Sequence, residues 1–363
     1  MTRRNVTRFT LPALAASALA LPAAAQAQST FEVYGQLNFG VFSTDDGFDS
    51  ETYFTDNDNS NSRVGFNWMN SFGDGRSLRF NFETGLGLNG SSAVTIDDTD
   101  LDFDFSRREL RKFEFIYRTP DTGTISLGQG GTASDGVAEA DFSGTSVIAY
   151  SGISDLAGSI EYRGAGGAGT GIAIGDTFKS FDGARRFRLR YDTPSWNGLV
   201  FSASGGEEVL AEGNDNEYYD IGARYTGDYG DLRADARLGY AWVSGGEELM
   251  VGSVASLHVP TGLSIAVSAG AQQEGNDDYV YAKLGWQQDW FSIGTTALSV
   301  DLYEGNDYAI DGSDSASVGL AVVQQVDDYD LEIYAAWRRH EFDAPGTTVA
   351  DIDVFAIGAR WKF

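Results

Sequence analysis

From residue 31 to the end, the chain alternates apolar and polar positions, segment after segment. Phe31, Val33, Leu37, Phe39 and Val41 interleave with Glu32, Gln36 and Asn38. Leu78, Phe80, Phe82 and Leu86 interleave with Arg79, Asn81 and Glu83. Leu232, Ala234, Ala236, Leu238, Tyr240 and Trp242 do so with Arg233, Asp235 and Arg237, and Leu331, Ile333, Ala335 and Trp337 with Glu332, Tyr334 and Arg338. In an extended strand this puts apolar side chains on one face and polar ones on the other. The segments run for about 8–13 residues, the length of a tilted strand crossing a bilayer. Their polar faces carry repeated charges, which suits an aqueous lumen better than the surface of a sandwich.

The connections alternate as well. Short turns fall at Phe72–Gly75, Thr119–Gly123, Thr193–Gly198, Gly227–Gly230, Pro260–Gly262, Gln288–Asp289 and Val326–Tyr329. Mostly longer, acidic or Gly/Ser-rich stretches lie between them, including 43–62, 88–108, 131–184, 206–216 and 340–350. Sixteen segments are counted, from 31–42 to 351–363. The even number returns both ends to one side, as a closed antiparallel transmembrane barrel requires, because an open edge in lipid leaves backbone N–H and C=O groups unpaired. Two places bear on the count. Residues 146–163 also read as extended, and segment 290–302 changes parity near Thr295–Thr296, which predicts a bulge.

Composition narrows the class. There is no cysteine, so neither disulfides nor thiolate metal sites are possible. The balance of 25 basic against 53 acidic residues gives a net charge of −28, which repels nucleic acid and attracts cations. Residues 1–27 stand apart: Arg3, Arg4 and Arg8 precede the apolar run Phe9–Ala24, and Ala25-Gln26-Ala27 forms a small-x-small site. This is the pattern of a secretory signal peptide, leaving residues 28–363 as the barrel. Beyond residue 27 no apolar run is long enough for a membrane-spanning helix.

Ser62-Arg63-Val64-Gly65-Phe66, Thr124–Gln129, Arg190–Leu199 and Gly358-Ala359-Arg360-Trp361-Lys362-Phe363 follow one another in an order that resembles the general, non-specific porins of Gram-negative outer membranes, alphaproteobacterial ones in particular. One departure is Gln129 after Gly128, where the family often has arginine. The resemblance implies an all-β barrel whose third loop, 131–184, folds inward and constricts a water-filled channel. It also implies a homotrimer set among outer-membrane lipid and lipopolysaccharide, passing ions and small hydrophilic solutes. Trp361 and Phe363, which share a face with Phe355, Ile357 and Ala359, would then be an assembly signal read by the barrel-assembly machinery.

The candidate site is the constriction. Asp135, Glu139 and Asp141 cluster early in the long loop. Arg79, Arg186, Arg188 and Arg190 by parity, and Arg63 by motif, would oppose them; Arg111 or Lys112 would join, parity there being ambiguous. Opposed charges in a narrow aqueous passage set up a transverse field that orients dipolar solutes, and the acidic excess predicts mild cation preference. No aromatic slide for sugars or stacked arginine ladder for phosphate stands out, so general diffusion is expected.

No cofactor is expected. Acids at Asp45, Asp46, Asp49, Glu51 and Asp56, and at Asp97, Asp98, Asp100, Asp102 and Asp104, could take calcium, although an EF-hand's glycine and glutamate are missing. A barrel hydrolase would need a histidine base, yet only His258 and His340 exist and neither adjoins a Gly-x-Ser-x-Gly motif. A plugged barrel serving as adhesin or structural protein is the other alternative.

Overall fold

In the computed structural model, which describes residues 28–363, most of the large apolar side chains of the strands point away from the interior. Leu263 and Ile265 are exposed while Ser264, Ala266 and Ser268 between and after them are buried; Val280 and Leu284 are exposed while Tyr281 and Lys283 are buried. A water-soluble sheet would bury the first set. Exposing it makes sense only where the surrounding medium is hydrocarbon. The expected signal peptide, residues 1–27, lies outside the described residues.

The wall begins with β1 (Gln28–Asp45), β2 (Ser50–Asp56), β3 (Arg63–Ser71), β4 (Ser77–Gly85), β5 (Leu110–Thr119) and β6 (Gly123–Gly131). A small two-stranded ribbon, β7 (Glu161–Arg163) and β8 (Gly169–Ala173), stands apart from the wall inside the longest connection. The wall then continues through β9 (Arg185–Asp192), β10 (Leu199–Glu207), β11 (Glu217–Tyr229), β12 (Leu232–Val243), β13 (Glu247–His258) and β14 (Leu263–Gln272). It ends with β15 (Asp278–Phe291), β16 (Gly294–Asn306), β17 (Asp314–Val326), β18 (Leu331–Asp343) and β19 (Ile352–Lys362). Neighbours pair antiparallel, and β1 closes the sheet against β19 from Gln36 opposite Lys362 to Asp45 opposite Asp353.

Seventeen strands share this sheet, but β2 and β3 occupy a single position. The first half of β1 pairs with β3 and its second half with β2, leaving a closed sixteen-stranded barrel. The chain between them, Asn57–Ser62, leaves the wall. The Asp56 carboxylate accepts from the Ser62 N–H at 2.8 Å and its hydroxyl at 2.7 Å, and the Asn57 amide donates to the Val147 carbonyl at 3.0 Å. Stretch 43–62, which reads as one outer loop, is therefore a strand and an inward excursion. The expected Gln288–Asp289 turn is also displaced: β15 runs on to Phe291, and the register slips between Gln288 and Phe291. The bulge lies on this strand rather than at Thr295–Thr296. Residues 146–163 add no wall strand.

One buried ion pair crosses the inner face of three strands. Arg338 donates to Asp301 at 2.7 Å, both side chains almost wholly buried. The pair closes over Gly319, where a Cβ would lie 2.5 Å from Arg338 Nη2 and 2.8 Å from Asp301 Oδ2. Asp301→Ala leaves Arg338 charged without its partner and is expected to cost about 3–5 kcal/mol. The folded form should then lose its heat resistance in detergent gels at a clearly lower temperature. A loss no larger than that from exposed Arg233→Ala would refute the assignment.

Candidate functional site: the lumen and its charged cavity

Segment 132–184 is fastened along the inner wall, strand by strand. Its start is held by side chains that the sequence marks as polar-face residues. Arg188 donates to the Gly131 carbonyl at 2.9 Å and pairs with Glu114 at 2.6 Å, and Arg190 reaches the Thr132 carbonyl while paired with Asp192 at 2.7 Å. Ser204 accepts from the Ala133 N–H, Asp220 from Ser134 and Ser253 from the Ala140 N–H. Arg224 donates to the Asp135 carbonyl and Arg237 to that of Gly136. Farther along, Lys283 binds both the Asp141 carboxylate and the Ala149 carbonyl, and Thr145 meets Ser299 at 2.8 Å.

Apolar packing completes the attachment. Ile148, Ile153, Ile160, Tyr162, Ile174 and Phe178 of the segment are buried in one cluster with Tyr279, Tyr303, Tyr334 and Phe342 of the wall. Each large side chain buried in this way contributes roughly 1.5–3 kcal/mol. The segment's far side is tied to outer loops: Arg163 pairs with Asp46 at 2.8 Å, and its carbonyl accepts from the Ala350 N–H at 3.0 Å.

Between this segment and the opposite wall lies a cavity of about 750 Å³. Arg63, Arg111, Arg185 and Arg360 line one side, from β3, β5, β9 and β19. Arg63 stands in the positive field of the other three. Glu83 holds two of these guanidinium groups from behind, at 2.7 Å from Arg111 and 3.9 Å from Arg63, and takes Lys112 at 3.2 Å. Both Arg111 and Lys112 reach it because the register slips here: Lys112 faces Glu83 but Leu110 faces Thr84, so Arg111 is the extra residue of a bulge. That is the origin of the ambiguous parity.

The other side is acidic: Asp135, Glu139, Asp141, Asp155 and Asp182, with Asp58 from the inward excursion. Asp182 accepts from the Gly136 N–H at 2.6 Å and the Ala138 N–H at 2.7 Å, clamping the turn that carries Asp135 and Glu139. Burial pushes the Asp182 carboxyl up to about 7, with the Glu139 charge adding to it. Burial likewise brings Asp155 to about 7, against the opposing effect of the hydrogen bond from Tyr150. Glu139 is raised too, by burial and then by Asp135.

Of the residues marked from the sequence, the cavity brings together Asp135, Glu139, Asp141, Arg63 and Arg111. Arg188 and Arg190 are used in holding the segment's first turn. Arg186 turns toward the long loops, paired with Glu208 at 3.1 Å and stacked over Tyr218 at 4.1 Å. Arg79 shares the inner face of Asn81 and Glu83 but sits beside the short turn after β3, exposed and outside the cavity. Arg185, Arg360, Lys283, Asp58, Asp155 and Asp182 were not marked. Arg360 had a signal, since it alternates with the apolar face of the last strand. Arg185 had none: as the first residue of β9 it departs from the parity of Arg186, Arg188 and Arg190. Among the described residues no group of three or more acidic or histidine side chains is placed to hold a metal ion.

The barrel thus combines outward-facing apolar side chains, a charged cavity in its interior and a segment fastened inside it. A family model described as Gram-negative porin matches residues 13–345. The chain belongs to the Gram-negative porin family. It is an outer-membrane channel, and its barrel is shared with solved porin-like structures. The anion-selective porin of Comamonas acidovorans aligns with a TM-score of 0.57 at 15% identity, covering 93% of this chain and 100% of that one. OprB of Pseudomonas putida aligns with a TM-score of 0.61 at 9% identity, over 92% of this porin and 94% of its own chain. In-vitro folded OmpT of Vibrio cholerae aligns with a TM-score of 0.57 at 16% identity, over 92% and 98%. No curated protein matches the porin in sequence.

Proposed function

We propose that segment 131–184 is the constriction of this porin and that the channel passes ions and small hydrophilic solutes by diffusion with a mild preference for cations. The observation that carries this reading is the two-sided cavity, with arginines on the wall and six carboxylates facing them from the segment and the inward excursion. Charges fixed on opposite sides of a narrow aqueous passage orient dipolar solutes, and their net sign sets ion preference. Lys283 is neutralised by Asp141 at 2.8 Å and Arg111 by Glu83 at 2.7 Å, so that with Asp155 and Asp182 ionised five carboxylates face three arginines. Asp45, Asp49 and Glu51, with Asp97, Asp98, Asp100, Asp102 and Asp104, are exposed and form an anionic rim that raises the local cation concentration, whereas Asp46 and Asp56 are buried.

Two of the facing carboxylates titrate close to neutrality, so selectivity depends on pH. Asp155 and Asp182, each near 7, are neutral below that value and ionised above it. Cation preference should therefore rise as pH is raised from about 6 to about 8. Zero-current potentials measured across a salt gradient at each pH test this. A flat profile, or one unaffected by the Asp155→Asn plus Asp182→Asn double variant, would contradict it.

Support for a homotrimer comes from in-vitro folded OmpT of Vibrio cholerae, which has been solved in a trimer form. A non-enzymatic role is supported by the histidines. His340 is fully buried against the Phe178 ring, and His258 bonds to Thr261 at 2.7 Å, with no carboxylate among its described partners. Trp361 and Phe363 are read as the assembly signal; both are exposed on the lipid side at the barrel seam.

A further inference from the structure

The arginine wall does not end at the constriction. At its long-loop end, a second cavity of about 420 Å³ opens between the Arg108–Arg111 stretch, Gln129, Ala184–Arg186 and the loop Glu208–Ala211. We propose that this vestibule is a binding site for small phosphorylated polyols, a phosphomonoester joined to a hydroxyl-bearing body, captured at the outer mouth before they reach the constriction. The proposal rests on the channel reading of the same porin.

Four of the lining residues are arginines: Arg108, Arg111, Arg185 and Arg186. Only two carboxylates line it, Glu109 and Glu208, and both are engaged. Glu208 accepts from the Leu210 and Ala211 N–H groups at 2.7 and 3.0 Å and from Arg186 at 3.1 Å. Glu109 accepts from the Gly87 N–H at 3.3 Å. With Arg111 held by Glu83 at 2.7 Å and Arg186 by Glu208, Arg108 and Arg185 remain against Glu109, still a local excess of positive charge in a chain of net charge −28.

Donors are also left over. Arg185 makes no hydrogen bond or ion pair of its own side chain among the described residues, and it lines both the vestibule and the larger cavity. Arg186 Nε is buried without a partner. Guanidinium groups fit the oxygens of a phosphate monoester with paired N–H donors, and a doubly charged head group profits more from several arginines than chloride does.

The hydroxyl-bearing part is assigned from Gln129. This side chain is 4% exposed, lines the vestibule and leaves its Oε1 unpartnered among the described residues. An orphan acceptor in a wall of donors calls for a ligand O–H. The volume lies within the range of small-ligand sites. Arg111, Arg185, Asn61 and Ala184 border both cavities, so an anion leaving the vestibule moves onto Arg63 and Arg360 without crossing an acidic patch.

The test is single-channel current through the full-length porin in a planar bilayer free of lipopolysaccharide, with glucose 6-phosphate added from the long-loop side. The current should fall saturably, while glucose at the same concentrations leaves it unchanged and inorganic phosphate blocks more weakly. Arg185→Gln should raise the half-blocking concentration by about tenfold, equivalent to about 1.4 kcal/mol. Exposed Arg108→Gln should act in the same direction and serves if Arg185→Gln fails to assemble. Arg79→Gln, which removes the same charge near the short turns, should leave the block unchanged. A conducting channel without saturable block, or equal weakening by Arg79→Gln, overturns the site but leaves the channel reading standing. Equal block by inorganic phosphate overturns the role given to Gln129. Loss of all conductance in the unmodified porin removes the channel reading and the site with it.

Discussion

Replacing Asp135, Glu139 and Asp141 together by Asn, Gln and Asn is expected to move the channel sharply away from cations. Each carboxylate lines the cavity opposite Arg63, Arg111, Arg185 and Arg360. A unit charge at roughly 10 Å in water is worth about 0.4 kcal/mol to a passing ion, so three act with about 1 kcal/mol before screening. Asp141 is one of the three: its neutralisation leaves the buried Lys283 charge, held at 2.8 Å, without its counter-ion. The cation-to-anion permeability ratio should fall on the order of fivefold. Because Asp141 also caps the Ser143 N–H, Asp135→Asn plus Glu139→Gln alone is the control against collapse of the segment, and should give a smaller shift of the same sign. An unchanged ratio from a channel of normal conductance would show that these side chains do not face the ions.

Deleting Phe363 should have the second large effect, on assembly rather than on permeation. The last residue exchanges two backbone hydrogen bonds with Gly35, at 2.9 and 3.1 Å, extending the β1–β19 seam by one pair. Its ring lies across Gly35, where a Cβ would come within 2.5 Å of Cζ, and Trp361 packs on it with ring centroids 5.2 Å apart. Two net hydrogen bonds are worth roughly 1–3 kcal/mol together, and the lost ring adds to that. Folded barrel recovered from outer membranes should fall about tenfold or more, while the barrels that form keep their conductance. Refolding the purified chain into detergent separates the two roles of this residue. A loss confined to cells assigns it to recognition by the assembly machinery, whereas an equal loss in detergent assigns it to the seam. Normal yield in both would remove the role altogether.

The barrel itself was legible because period-two alternation is a property of each strand taken alone. Apolar faces that look outward, such as Leu263 and Ile265 or Val280 and Leu284, are written as plainly as inward ones; only the length of the strands and the layout of the connections tell the two cases apart. What strand-by-strand reading cannot carry is anything made by the inward segment. Asp155 and Asp182 reach the cavity through a fold of about 50 residues that has almost no regular structure. Asp58 does so through an excursion concealed in what reads as a loop. Arg185 escaped because parity fails at a strand's first residue, and Arg111 was ambiguous because a bulge shifts it. Conversely Arg188 and Arg190 obey parity, yet their guanidinium groups are spent on Glu114, Asp192 and backbone carbonyls. Parity says which face a charge occupies and not what already neutralises it.

An open, charge-selective passage is tested directly by the conductance and zero-current potential of the purified porin in a planar bilayer across a potassium chloride gradient. Discrete current steps with a potential of the sign set by cation preference are the result expected. A well-folded barrel that gives no steps, or steps whose potential has the sign of anion preference at neutral pH, would contradict it.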